Sequence, residues 1–184
     1  MKTMTKNVMK LALLGLLTIS QSFAVDINLK ASELKWKATK VSGEHYGRIF
    51  FKSGDIVLKD NKLVSGNFTV DVNSLTVDDL SGKWAEKFTG HIKSKDFFTV
   101  AEFPEAKLKI KSIDGSKVTA DLTIKGKTNT VNFDYKVEGK TLIGKLKFDR
   151  TKYGMVYGSG DFFKGLGDKM IHNNVTLDFK VVTK

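Results

Sequence analysis

The chain has 184 residues, no cysteine, and a formal net charge of +11 from 31 basic and 20 acidic side chains. That excludes disulfide scaffolds and thiolate sites, and its length suits one domain that buries its own core without staples. The basic balance would ordinarily point to nucleic acid, but the lysines are spread along the chain instead of clustered, and the N-terminus reads as an export signal; an anionic membrane surface or a phosphorylated amphiphile suits that charge better.

Residues 1–24 read as a secretory signal peptide. The stretch "MKTMTKNVMK" carries Lys2, Lys6 and Lys10 and no acid, "LALLGLLTIS" is an apolar run of ten, and Ser22 and Ala24 put small residues before a cut. A run of ten is well short of the ~20 residues that span a bilayer. Cleavage is expected after Ala24, leaving residues 25–184 as a single domain of 160 residues and charge +8 once the three leader lysines are gone. The expected destination is the periplasm or the medium, and without cysteine there is no lipid-modified thiol to tether the mature N-terminus.

From there the chain alternates apolar and polar residues, the period of a strand wet on one face. "ELKWKATKV", "GRIFFKSGDIVLK" and "LVSGNFTVDVNS" come first, with Gly43, Gly47, Gly54 and Gly66 where strongly bent strands want them. One segment, "DDLSGKWAEKFTGHIKS", changes period: Leu80, Trp84, Phe88 and Ile92 recur every four residues, predicting a helix with Asp78 and Asp79 at its positive N-terminal end. The connector that follows, "GHIKSKDFFTVAEFPEAKLKI", carries Phe97, Phe98, Phe103 and the only proline, Pro104.

Beyond it, "KVTADLTIK", "VNFDYKVEG", "LIGKLKF" and "NVTLDFKVV" alternate again, separated by the turns "DGS", "KGKTN" and "EGK". A second irregular segment, "GMVYGSGDFFKGLGDKM" at 154–170, is rich in glycine and carries Phe162 and Phe163. About eight antiparallel strands with one apolar face have to curl or fold over, and closure also removes the edges, so the expected fold class is all-β with a small helical insertion, with a closed eight-stranded barrel as one outcome. Such a barrel is just wide enough to fill with its own side chains or to hold one slender ligand, and periodicity leaves both outcomes open.

Catalytic chemistry finds little footing. His45, His91 and His172 are the only histidines and none stands at a metal-ligand spacing; no nucleophile elbow or phosphate loop is present. Asp78 and Asp79 read as helix-start residues rather than a general acid and base. No enzyme activity, cofactor or metal is expected. An enzymatic alternative would require the three histidines to converge in space.

The segment "HIKSKDFFTVAEFPEAKLKI" resembles the signature of the YceI-like, polyisoprenoid-binding family. "SELKWKATKVSGEHYGRIFFKSGDI", "GNFTVDVNSL", "ADLTIKGKTNTVNF" and "FDRTKYGMVYGS" match in the same order, and the resemblance covers essentially all of residues 25–184. By position, Asp96, Phe97, Phe98 and Pro104 match the mouth motif, Gly43, His45 and Gly47 the Gly-x-His-x-Gly element, and Asp149 and Arg150 the late Asp-Arg pair. Ile92 stands where leucine is common in that family, and Thr99 where aspartate often follows the phenylalanines.

The resemblance implies an eight-stranded antiparallel, lipocalin-like barrel with a helix packed at its mouth, exported to the periplasm, that binds an isoprenoid-type chain such as a quinone tail or polyprenyl phosphate in an apolar cavity. The residues expected to meet that ligand are Trp36, His45, Phe50, Phe68, Trp84, Phe88, His91, Phe97, Phe98, Phe103, Phe133, Tyr135, Phe148, Phe162 and Phe163. A carrier or scavenger of such lipids, touching an anionic membrane surface and working as monomer or homodimer, is the expected function. The alternative is a filled barrel serving as an envelope stress or interaction module without a lipid.

Overall fold

The computed structural model describes residues 22–59 and 62–184. Most of the leader, residues 1–21, therefore lies outside the described residues. Strands β1 (Ser22–Asp26), β2 (Glu33–Lys40), β3 (Gly43–Arg48), β4 (Phe50–Lys59) and β5 (Lys62–Asp71) precede helix α1 (Gly82–Lys93). Then follow β6 (Glu105–Asp114), β7 (Lys117–Ile124), β8 (Lys127–Glu138), β9 (Thr141–Asp149) and β10 (Ile171–Val182). They form one antiparallel sheet in the order β1-β4-β5-β6-β7-β8-β9-β10-β2-β3.

The alternation read from the sequence becomes the inside and outside of this sheet. In β7, Val118, Ala120, Leu122 and Ile124 are buried while Lys117 and Asp121 face outward. The strands number ten, not eight, for two reasons. The run 43–59 is a single bent path, divided at Ile49 into β3, which pairs with β2, and β4, which pairs with β5. It thus belongs to both sides of the sheet and draws them together. The other addition is β1, along β4; just beyond it Ile27 bridges Thr183, Asn28 N–H donates to the Val182 carbonyl (2.7 Å), and Lys184 N–H to the Asp26 carbonyl (3.0 Å).

The predicted cut after Ala24 falls inside β1. A chain cleaved there keeps Val25, Asp26 and the fully buried Ile27, which tie this end of the barrel to both β4 and the C-terminus.

The helix forms but is smaller than its stripe implied. It starts at Gly82, after Leu80, and none of its residues is fully buried. Phe88 and Ile92 lean on the barrel, whereas Trp84, one turn earlier, is 71% exposed, because only the C-terminal half of the helix rests on the mouth. Asp78 and Asp79 do not serve the helix start. Asp79 accepts from the Tyr46 N–H (3.0 Å) and holds the His45 Nδ1 (2.7 Å), and Asp78 accepts from Arg48 Nε (3.1 Å), so the pair straps the pre-helix loop to β3. Burial opposes the charge on Asp79, but the Tyr46 and His45 hydrogen bonds outweigh it and hold its carboxyl below the usual range.

Gly47 is required by the same strap. A Cβ there would strike the Thr76 carbonyl, which accepts the indole N–H of Trp36 (2.9 Å).

Candidate functional site: the barrel cavity and its mouth

The inward faces do not meet at the centre of the barrel. They enclose a cavity of about 620 Å³, within the roughly 300–1,000 Å³ typical of small-molecule sites. Its deep wall is apolar: Leu63 of β5, Ile110 of β6, Val118 of β7, Leu142 of β9 and Val181 of β10. Nearer the mouth stand Ile124, Phe148 and Ile171 on the same strands. From Val118 to Ile124, or Leu142 to Phe148, is roughly 20 Å of strand, so the space is elongated along the barrel.

One end is built from four irregular pieces that hold one another. The β2–β3 turn joins the 154–170 segment through Val41 N–H to the Met170 carbonyl (3.0 Å) and Ser42 Oγ to the Asp168 carbonyl (3.1 Å). Phe88 of α1 stacks with Trp36 (centroids 6.0 Å apart) and packs against His45 (4.5 Å). At the helix end, His91 meets the Phe97 and Tyr157 rings edge-on at 5.1 and 4.7 Å, and its Nε2 pairs with Asp96 (2.9 Å). Asp96 is positioned in turn by its N–H donating to Ser94 Oγ (3.3 Å), and Pro104 then delivers the chain into β6.

The late Asp149-Arg150 pair organises the remaining side. Asp149 caps a short helical turn, accepting from Thr151 N–H (2.9 Å) and Oγ1 (2.6 Å). Arg150 is 2% exposed and lines the cavity. Its guanidinium donates to the carbonyls of Met155, Ile171 (3.0 Å) and His172 (3.2 Å), fastening both ends of the 154–170 segment, and lies 6.0 Å from the centre of the Phe97 ring. Burial pushes its pKa down from the ordinary value, with nearby Asp149 acting in the opposite sense.

Of the predicted site residues, Trp36, His45, Phe68, Phe88, His91, Phe97, Phe98, Phe133, Tyr135 and Phe148 line the cavity. Phe50 does not, because strand alternation turns Ile49 and Phe51 inward and leaves Phe50 outside. Phe103 packs beside Gly126 in the β7–β8 turn. Trp84, Phe162 and Phe163 are exposed. Sequence reasoning missed Phe51 and Phe179, which the period of two could have assigned, and Tyr157 and Met155, which sit in irregular chain with no such signal.

The histidines stand apart: His45 pairs with Asp79, His91 with Asp96, and His172 Nδ1 with Thr39 Oγ1 (2.7 Å). Among the described residues, no cluster of three or more His, Cys, Asp or Glu side chains is arranged to hold a metal.

The two connector phenylalanines differ in kind. Phe97 is 7% exposed and wedged among His91, Tyr157 and Arg150, while Phe98 is half-buried on the cavity wall. Phe97→Ala is expected to cost about 3–5 kcal/mol in chemical denaturation, and Phe98→Ala about 1–2 kcal/mol. Equal losses would contradict this division of labour.

Comparison with known proteins places the whole barrel in one group. The model of the YceI-like domain family matches residues 23–183. A UPF0312 protein of Staphylococcus aureus (strain MRSA252) is 51% identical over 76 residues, which cover 35% of this chain and 44% of that protein. A UPF0312 protein of strain USA300 is 49% identical over 49 residues, covering 27% and 29%. The matches thus span less than half the length of these curated relatives.

Among solved structures, Burkholderia cenocepacia BcnA superposes with a TM-score of 0.67 at 24% identity over 86% of this chain and 100% of that one. A polyisoprenoid binding domain from Saccharophagus degradans, implicated in plant cell wall breakdown, superposes with a TM-score of 0.58 at 15% identity over 86% and 97%. At these identities the likeness is one of fold.

Proposed function

The chain belongs to the YceI-like domain family, and from that membership and its cavity we propose that it binds a long-chain, isoprenoid-type lipid inside the barrel, as an exported carrier or scavenger rather than an enzyme. The single observation that carries this reading is the elongated apolar cavity of about 620 Å³ left unfilled by the barrel's own side chains. The polyisoprenoid binding domain of similar fold supports the same ligand class. Burial of apolar groups gains ~0.8 kcal/mol per methylene, so a five-carbon isoprene unit contributes about 4 kcal/mol gross. A few buried units therefore exceed the entropic cost of association without any reacting group.

Titration of the purified protein with a fluorescent polyprenyl probe tests the reading. Saturable uptake with a blue shift supports it; a probe that stays in an aqueous environment at all protein concentrations defeats it. The filled-barrel alternative is disfavoured by the same cavity.

Delivery of such a ligand requires contact with a lipid surface, and the mouth region presents the side chains for it. Trp84 on α1 and Phe162 and Phe163 in the 154–170 segment are exposed, with Lys83, Lys87 and Lys164 beside them. Aromatic rings with neighbouring lysines favour the interface of anionic membranes. Contact from outside, through these exposed side chains, is the form proposed; among the described residues, no helix is long and apolar enough to cross a membrane. The protein is expected to co-sediment with vesicles containing anionic lipid more than with neutral ones, and Trp84→Ala should weaken this while shifting stability by no more than about 0.5 kcal/mol. Equal sedimentation with both vesicle types would refute the contact.

A further inference from the structure

Helix α1 is tied to the barrel at its two ends and held lightly between them. Before it, the Asp78 N–H donates to the Tyr46 carbonyl (2.8 Å) and Asp79 holds His45. At its end, the Phe98 N–H donates to the Ile92 carbonyl (3.1 Å), the Val100 N–H to the Lys93 carbonyl (3.0 Å), and Lys93 Nζ to the Asn73 carbonyl (2.8 Å). Among the described residues, no side chain of 82–90 forms a hydrogen bond or ion pair outside the helix. This part rests on the rim through Phe88, which stacks on Trp36 and packs against His45.

A glycine stands at each boundary of the lightly held part. Gly82 opens the helix in the left-handed region (φ +54°), and Ser81 before it makes no side-chain hydrogen bond to the first turn. Gly90 lies just before the anchored end; among the described residues, a Cβ added there meets no atom within 4 Å, so packing does not require it. An interior glycine weakens a helix relative to alanine, and beside it the Thr89 hydroxyl donates back to the Ala85 carbonyl (2.8 Å), a bond that favours bending. Trp84 lies one turn before Phe88 on the same face, exposed, with Lys87 Nζ 5.9 Å from its ring centre. The two rings ride on one short rigid piece, so drawing Trp84 outward lifts Phe88 from the rim.

We propose that residues 82–90 form a flap, hinged at Gly82 and Gly90, and that an anionic lipid surface opens it by taking up Trp84. The proposal rests on the lipid-binding and membrane-contact readings above and adds the regulation of that site: Phe88 narrows the mouth in solution, and the mouth widens at the surface that holds the ligand. A conformational shift needs an interaction that differs between its two states. Here it is the indole at the membrane interface, with Lys83 and Lys87 against anionic head groups. In water Trp84 gains nothing from opening and Phe88 loses its packing, so the flap stays shut.

The chain has no cysteine, so two introduced thiols carry spin labels without background. Glu86→Cys on the flap and Lys136→Cys on the outer face of β8 are both exposed positions. Pulsed electron paramagnetic resonance is expected to give one distance in solution and with neutral phosphatidylcholine vesicles, and a shift of about 5 Å or more with vesicles containing phosphatidylglycerol. Gly90→Ala, which stiffens the hinge without touching a neighbour, should slow transfer of a fluorescent polyprenyl probe from the anionic vesicles about threefold or more, while its affinity for the probe in vesicle-free solution stays that of the parent. A distance that stays fixed while the protein co-sediments with anionic vesicles, or one that shifts equally with neutral vesicles, overturns the flap and leaves both underlying readings in place. Transfer by Gly90→Ala at the parent rate does the same. Failure to co-sediment removes the membrane contact and the flap with it, and failure of the parent to take up the probe in solution removes the lipid-binding reading.

Discussion

Ala106→Phe is expected to reduce uptake of a polyprenyl probe by at least about tenfold while leaving the protein as stable as the parent, or more so. Ala106 is buried on the inner face of β6, opposite Val70 of β5, and lines the cavity. A phenyl ring placed there occupies space otherwise open to a ligand. If the ring enters a true void, its burial contributes up to about 1.5–3 kcal/mol and no neighbour has to move. If the barrel were filled, the same ring would overpack it and cost about 1–3 kcal/mol. Denaturant unfolding and probe titration on one sample separate the two: lost uptake with retained stability marks an open cavity, and lost stability marks a closed core.

Arg150→Met should produce the second large effect, a loss of about 3 kcal/mol or more. Methionine keeps most of the volume but removes the donors to Met155, Ile171 and His172, leaving three carbonyls without the partner they have here. Arg150→Lys should recover only part of the loss, since one ammonium cannot span acceptors arranged for a planar fork. Hydrogen exchange should quicken in residues 154–170 before it does in β7 and β8. Unchanged exchange in that segment would show that Arg150 does not hold the mouth together.

Much of the barrel was legible because strand period and burial are the same fact seen twice. Val118, Ala120, Leu122 and Ile124 alternate in the sequence and face inward in β7. The strand count was less legible. The division at Ile49 has no glycine or proline to mark it and follows from one path pairing with β2 on one side and β5 on the other. Likewise β1 lies where the chain reads as a leader, and its pairing with β4 is a long-range choice that local pattern does not encode.

The site was legible where its residues lie on strands and less so where they lie in irregular chain. Phe133, Tyr135 and Phe148 inherit their inward direction from the pleat, and so would Phe51 have done, had it rather than Phe50 been chosen by alternation from Ile49. Phe97 and Phe98 were picked out by the mouth motif, yet nothing local distinguishes them from Phe162 and Phe163, which are exposed. Asp78 and Asp79 show the same limit: their spacing before a helix suggested a dipole role, while their partners, His45, Tyr46 and Arg48, are about thirty residues away in β3. Arg150 was recognisable only as half of a motif; its role as a clamp depends on carbonyls that the fold alone brings round it.

The most direct measurement is solvent extraction of the protein purified from its own host, followed by mass spectrometry of the extract, beside the Ala106→Phe variant purified identically. The proposed function predicts a long-chain, isoprenoid-type lipid at near-stoichiometric amount in the parent and its depletion in the variant. Absence of any such lipid from the parent, together with no uptake of the polyprenyl probe, would contradict it.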